Sequence, residues 1–342
     1  MASKVIEEIN NLIALDKAQK QEKRDIEDTR LTEEFVKGQI EKYKKEKDWS
    51  KKSVSYSNYS LYSRCPLSWY HTYVTKEIKY TPSIHTVFGT AFHEMFQEYF
   101  ETMTSTSVKA ADELDVSKML QENIKKEYAN SMKGRTEHFS TGAELGEFWR
   151  DGVGIMKWFK SRRRTYFNAK DTVLLGIELP IFMPIFGDVH LTGFLDLVLF
   201  DKRTRRIKIV DIKTSGRGWS KWVKKDKMKQ AQLILYKIYF SEQYKIPIEN
   251  IDVEFFIVKR KLLEDSEFPQ KRIQVFQPSS GKVNCGRVQR DFNSYLEKCY
   301  NKDGTFKDQE YPATEGERQK SCTFCALKDN EQLCPKSKRI KS

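Results

Sequence analysis

The segment from Leu191 to Thr214, LTGFLDLVLFDKRTRRIKIVDIKT, places two aspartates and a lysine inside apolar runs. Charged groups in such surroundings are costly unless something compensates them. The polar stretch from Asp201 to Arg206 reads as a turn joining two strands. A turn centred between Arg203 and Thr204 sets Phe200 opposite Ile207 and Asp196 opposite Asp211. Side chains alternate along a strand, so Asp211 and Lys213 then share a face beside Asp196. Like charges facing each other across a hairpin are destabilising, more so when buried. A hard divalent cation such as Mg²⁺ would relieve them, because it takes carboxylate oxygens and waters and leaves positions for a phosphate. Lys213 would then orient a metal-activated water or stabilise charge developing on the phosphate. The competing reading is a plain ion-pair network.

A second constellation is made of thiols. Cys322, Cys325 and Cys334 form a C-x₂-C-x₈-C array, and Cys65 stands far upstream; Cys65 and Cys334 are each followed by proline. No apolar leader follows the N-terminus, so secretion is not expected and the compartment should be reducing. The six cysteines then need a reason other than disulfides. Four thiolates hold either zinc or an iron–sulfur cluster, and spacing alone does not separate the two. Cys285 and Cys299 fall outside the array and read as buried or free thiols.

Directly after Lys213 comes Ser215 to Lys229, in which Arg217, Lys221, Lys224, Lys225, Lys227 and Lys229 surround Trp219 and Trp222. Cations interleaved with aromatic rings suit phosphates and stacked bases. Lys259, Arg260 and Lys261 form a further basic cluster. Lysine and arginine outnumber acids 61 to 48, a net charge of +13, which fits an anionic polymer as partner. The most apolar stretch, Val173 to Phe186, contains Glu178, Pro180 and Pro184, so no membrane span is expected.

The elements that must position these groups follow from periodicity. Strands are expected at about 173–183, 190–200, 206–213 and 253–259, with a helix from Lys227 to Tyr244. Upstream, Gly89 opens an amphipathic helix in which Phe92, Phe96 and Phe100 recur on one face, with His93 beside them. Residues 101–168 read as a helical insertion, with Trp149, Met156, Trp158 and Phe159 as core contacts. Residues 1–52 read as a charged appendage of one or two exposed helices, with Val5, Ile9, Leu12 and Ile13 at helical spacing; the main domain is expected over 53–342. The fold class is α/β, a mixed central sheet flanked by helices.

These residues resemble a known family. Gly193-x-x-Asp196 followed by Val210-Asp211-Ile212-Lys213 resembles the PD-(D/E)XK nuclease core, and Gln232-x-x-x-Tyr236 resembles the QxxxY motif of its RecB/AddB-type and CRISPR-associated exonuclease branch. Gly89-x-x-x-His93 resembles the helix whose histidine is a metal ligand there. The resemblance implies a restriction-endonuclease-like core, with Asp196, Asp211, Lys213, Gln232 and Tyr236 at the catalytic site. It implies metal ligation by His93, Asp196, Asp211, the Ile212 backbone carbonyl and Glu178. It further implies that Cys65, Cys322, Cys325 and Cys334 hold a [4Fe–4S] cluster fastening the ends of the domain, with structural Zn²⁺ as the alternative.

The expectation is therefore a Mg²⁺- or Mn²⁺-dependent DNA nuclease, an exonuclease of replication, recombination or repair, in the cytoplasm of a prokaryotic or phage-infected cell, with a helicase or recombination partner. Arg217, Trp219, Lys221, Trp222, Lys224 and Lys225 are its expected DNA contacts. The rivals are a catalytically idle DNA-binding accessory subunit with the same fold, and a zinc-stabilised helical scaffold.

Overall fold

The three apolar runs after Thr172 form consecutive antiparallel strands because each is bounded by a tight polar turn and alternates between two buried faces. The computed structural model describes residues 31–79, 81–263, 267–315, 322 and 325–341. Helix α1 (Glu33–Tyr43) leads to strand β1 (Ser53–Val54) and helices α2 (Tyr56–Arg64) and α3 (Pro66–Trp69). A helical block follows: α4 (Ile84–Ser105), α5 (Val108–Glu113), α6 (Val116–Met132) and α7 (Gly142–Arg162). Then come β2 (Thr172–Phe186), β3 (Val189–Asp201) and β4 (Arg206–Ser215), helices α8 (Lys221–Lys225) and α9 (Lys227–Tyr244), and strands β5 (Ile251–Lys259) and β6 (Ile273–Phe276). Helix α10 (Lys282–Cys299) and the short strands β7 (Ala313–Glu315) and β8 (Arg339–Lys341) complete the described chain.

The main sheet is six-stranded and mixed. β4 and β5 pair in parallel, with α8 and α9 in the crossover, while β2–β3, β3–β4 and β5–β6 are antiparallel. Each face of the sheet carries its own apolar core. Ile207 and Ile209 of β4 join α1, α9 and α10 on one side, whereas Val210 and Ile212 join α4, α6 and α7 on the other. This is the mixed α/β architecture expected from the sequence.

One edge of β3 is shared by two partners, and that sharing creates an opening. β1 pairs with it in parallel at His190 and Leu191, and β4 pairs with it only from Leu197 to Asp201. Between those ladders β4 diverges from β3, leaving a fork at Thr192 to Asp196. The strands also kink there. On β2, Leu179 and Ile181 face the α9 side but Ile177 faces the α4 side; on β3, Leu191 and Leu195 face α9 but Leu197 and Leu199 face α4. Residues of one parity therefore change face across Glu178 and Asp196, which lie opposite each other between the pairs Ile177↔Leu197 and Leu179↔Leu195. Glu178 absorbs the change with a φ of 47°, a left-handed conformation that non-glycine residues rarely adopt.

Three expectations change here. The helix carrying His93 starts at Ile84, not Gly89, because Ser83 and Thr86 form a reciprocal cap at its N-terminus. Its aromatic stripe extends back to Phe88, and Phe88, Phe92, Phe96 and Phe100 are all buried. The described part of the N-terminal segment is not an exposed helix: Leu31, Val36 and Ile40 are buried in the α9-side core. Val5, Ile9, Leu12 and Ile13 lie outside the described residues. Finally, Arg260 and Lys261 do not stand as an unpaired basic cluster. Arg260 pairs with Glu147 and Asp151 of α7 and packs over Phe148, and Lys261 pairs with the same two acids.

The helical insertion does form, with Met156 and Phe159 fully buried and Trp149 and Trp158 packed at its margin. Cys285 and Cys299 are buried, and burial pushes the Cys299 thiol up to about 12.

Candidate active site in the strand fork

Where β4 parts from β3, its inward backbone groups lose their ladder partners and need others. Asp196 supplies one: its Oδ2 accepts the Ile212 backbone N–H at 2.6 Å. The hairpin register is the one expected, with Phe200 opposite Ile207, but the backbone pairing stops at Leu197↔Val210. Asp196 and Asp211 thus flank the opening instead of forming a paired rung. A closed rung would satisfy the Ile212 backbone N–H within the ladder; in the fork the Asp196 carboxylate takes that place.

Asp211 is almost wholly buried, and its two oxygens are treated differently. Oδ1 accepts from Gln232 Nε2 at 3.0 Å, across from α9. Oδ2 lies 2.7 Å from Lys213 Nζ, yet no donor is directed at it along a hydrogen-bonding geometry. Burial raises the pKa of Asp196 well above the usual carboxylate range, and the Asp211 charge adds to this. Burial likewise raises Asp211, with Lys213 opposing. Lys213 is pulled down by burial, but Asp211 and Asp196 together outweigh that and hold its ammonium above the ordinary lysine value.

The helices close on the fork from both faces. From α4, His93 Nδ1 stands 3.6 Å from Asp196 Oδ2, and Gln97 Nε2 donates to Glu178 Oε1 at 2.6 Å and to the Asp196 carbonyl at 3.3 Å. Burial, reinforced by the charge of Lys213, pushes His93 down to about 4 against a backbone hydrogen bond to Ile212. The imidazole is therefore neutral, as a metal ligand must be. From α9, Tyr236 fills the space against Gly193: a Cβ there would lie 2.9 Å from the tyrosine Cε1. That close approach explains the glycine of Gly193-x-x-Asp196.

The fork brings together every expected catalytic and metal-site residue: His93, Glu178, Asp196, Asp211, Ile212, Lys213, Gln232 and Tyr236. Gln97 was missed by the sequence reading, although its spacing of four from His93 puts both on one helix face. Among the described residues, no group of three or more Cys, His, Asp or Glu is gathered closely enough to hold a metal ion as it stands. A cation that keeps several waters needs only one or two carboxylates. The undirected Asp211 Oδ2, and an Asp196 raised by burial and by the Asp211 charge, fit such a cation.

A polar cleft of about 890 Å³ leads to Lys213 and Gln232. One wall is α2, with Tyr56, Ser57, Ser60 and Arg64; the other carries Trp219, Lys227 and Lys229. Tyr56 Oη donates to the Met228 carbonyl at 2.7 Å and ties the walls together, and Asp226 caps the start of α9. The expected DNA contacts divide. Trp219 lines the cleft but packs on Phe255, with ring centroids 4.8 Å apart, so it is part of the wall more than a free stacking surface. Lys221, Lys224, Lys225 and Trp222 sit on α8, outside the cleft lining, with Trp222 81% exposed. Arg217 is also exposed. Arg64, unremarked in the sequence, lines the cleft itself.

The thiols share a second cavity. Cys65, Cys322, Cys325 and Cys334 line one cavity of about 1000 Å³, framed by α2, α3 and the β7 strand. Leu67 N donates to the Pro312 carbonyl at 3.2 Å, and β7 pairs with β8. Burial raises the Cys334 thiol, with Cys65 and Cys325 adding to the rise and Arg339 opposing it.

Two outcomes follow from the fork. Because burial lifts the folded pKa of Asp211 above its unfolded value, the ionised group costs stability near neutral pH, and that cost fades as pH falls through the folded pKa. Relative to Asp211→Asn, metal-free wild type should therefore gain in melting temperature as the pH falls from neutral through the folded pKa of Asp211; a difference that stays constant or moves the other way would show that pairing with Lys213 outweighs burial. Gly193→Ala should displace Tyr236 and reduce any turnover at the fork on the order of 10- to 100-fold, as small misplacements of reacting groups do. Steady-state kinetics alongside a melting curve would separate this from simple unfolding.

A family model for the PD-(D/E)XK nuclease superfamily matches residues 53–334, from β1 through the last cysteine of the array. No curated protein matches the chain. With its acidic fork, its lysine two residues beyond Asp211 and that match over most of its length, the chain belongs to the PD-(D/E)XK nuclease superfamily.

Proposed function

We propose that the protein is a Mg²⁺- or Mn²⁺-dependent deoxyribonuclease that degrades DNA from ends or as single strands, of the RecB/AddB-like branch, serving replication, recombination or repair. The observation that carries this reading is the fork itself: Asp196 and Asp211 face one space with a charged lysine, and one buried carboxylate oxygen lacks a directed donor. Asp196, Asp211 and the Ile212 carbonyl would hold the cation, with His93 and Glu178 beside them. Acidification of a water and polarisation of the scissile phosphate is the chemistry such an ion supplies when bound.

The chain's own groups do the rest. Asp211 keeps Lys213 protonated, so its ammonium can meet negative charge building on the phosphate. Gln232 fixes the Asp211 carboxylate, Gln97 fixes Glu178 across the kink, and Tyr236 backs the strand at Gly193. Arg64, Lys227 and Lys229 line the approach with positive charge, and α8 adds more at its rim. A cleft with two continuous walls suits one strand better than a duplex.

For the thiol cavity we favour a [4Fe–4S] cluster over zinc. The sulfurs stand around a cavity, whereas a single Zn²⁺ needs four thiolates at about 2.3 Å. The cluster's role would be to fasten α2 to the C-terminal segment.

Lys213→Ala should lower cleavage of end-labelled single-stranded DNA by at least about 100-fold with DNA binding largely retained, and a chelator should stop the wild type until Mg²⁺ or Mn²⁺ is restored. Full activity in Lys213→Ala, or in chelator, would overturn the assignment. Anaerobically purified protein should carry about four irons per chain. Cys65→Ser should lose as much iron as Cys325→Ser, whereas Cys299→Ser should keep it; a colourless protein with one zinc would replace the cluster by the metal.

A further inference from the structure

The cleft is not the only depression that meets the fork. On the far side of Tyr236 lies a groove of about 280 Å³, lined by Lys47, Ser55, Tyr56, Ser57, Phe194 and Tyr236 together with Thr192 and Gly193. Tyr56 and Ser57 line the cleft as well, so the two depressions lie on either side of these residues. Helix α9 spans the junction: Gln232 lines the cleft and Tyr236, one turn later, lines the groove.

The groove's chemistry matches a nucleotide. Phe194 is 46% exposed on a strand whose other apolar residues are mostly buried, and it stands two residues, about 7 Å, along β3 from Asp196. At the other side, Lys47 Nζ lies 4.1 Å over the ring of Trp49, which is 82% exposed. None of the lining residues is acidic. An ammonium for a phosphate and an open ring for a base are what single-strand sites are built from. The volume is about a third of the cleft's and falls just short of the roughly 300–1,000 Å³ of small-ligand sites, a scale of one nucleotide and not a run of them.

We propose that this groove is the subsite for the single nucleotide beyond the scissile phosphate, with Phe194 against its base and Lys47 on its phosphate. The inference rests on the nuclease reading and deepens it: the strand occupies the cleft, its last nucleotide occupies the groove, and the fork cuts between them. Hydrolysis adds one water across the P–O bond; the water oxygen stays on phosphorus, and its proton ends on the sugar oxygen that leaves. The product released from the groove is a mononucleotide.

The test uses the full chain with Mg²⁺, a single-stranded oligonucleotide labelled at either end, and deoxyadenosine monophosphate as competitor. Wild type should release mononucleotides from the first turnovers and be inhibited by the competitor. Lys47→Ala and Phe194→Ala should each weaken that inhibition roughly tenfold or more and lengthen the products, since a base–aromatic stack alone contributes that much. Lys47→Arg and Phe194→Trp should restore both, and melting curves identify any variant that fails to fold. Unchanged inhibition and product length in folded alanine variants, or long products from wild type, would overturn the subsite and leave the nuclease reading intact. No cleavage by wild type under any divalent metal would overturn the nuclease reading, and the subsite with it.

Discussion

The hydrogen bond from Ile212 N–H to Asp196 Oδ2 is the contact on which the site depends. A sheet that opens between two paired strands exposes backbone donors that cost free energy unless satisfied. Using a carboxylate to cap one of them holds the opening apart and, in the same act, fixes an acid at its mouth. The kink in β2 and β3 is the matching adjustment, since strands that reverse their faces at Glu178 and Asp196 pack both cores and set these two acids at the turning point. Gln97 holds that kink from one face, and Tyr236 backs it from the other.

Much of this was legible in the chain and some was not, for identifiable reasons. Asp196, Asp211 and Lys213 could be read because a hairpin has a period of two and its turn fixes the register. The limits of α9, Lys227 to Tyr244, matched because Asp226 is a strong cap. The fork could not be read: β1 is a two-residue strand with no hydropathy signature, and its pairing with β3 joins positions more than 130 residues apart. Hence the reading placed Asp196 and Asp211 in a closed rung. Basic clusters were also read too uniformly. Arg260 and Lys261 answer to Glu147 and Asp151, acids over a hundred residues upstream, and no local pattern announces that. The thiols illustrate the opposite case: cysteines from the two ends of the domain, grouped by their resemblance to a family pattern, line one cavity.

The site is also expensive in stability. Buried carboxylates raised by their own burial and a strained Glu178 work against folding near neutral pH, and the depressed His93 joins them only as the pH falls below the ordinary histidine value. They are offset by the apolar packing on both faces, above all by the phenylalanine stripe of α4, which shares a core with Leu197, Val210 and Ile212 beside the fork. The helix that carries His93 and Gln97 is thus also one of the most deeply packed in the molecule, which keeps those two side chains in place.

The bond between Leu67 and Pro312, and the cavity shared by residues 61–67 with residues 322–339, have a consequence for how the chain is made. On a ribosome, α2 emerges long before the segment that closes on it. At roughly 5–20 residues per second, about a quarter of a minute to a minute separates the two. For the last part of that time the fork's own strands and helices have been synthesised, while α2, one wall of the cleft, rests on α10 through Tyr59 and Phe292 but still lacks the C-terminal segment. Closure of that wall is therefore a late event of vectorial folding, and a nascent chain can hold an assembled acidic centre before it has a finished channel to feed it.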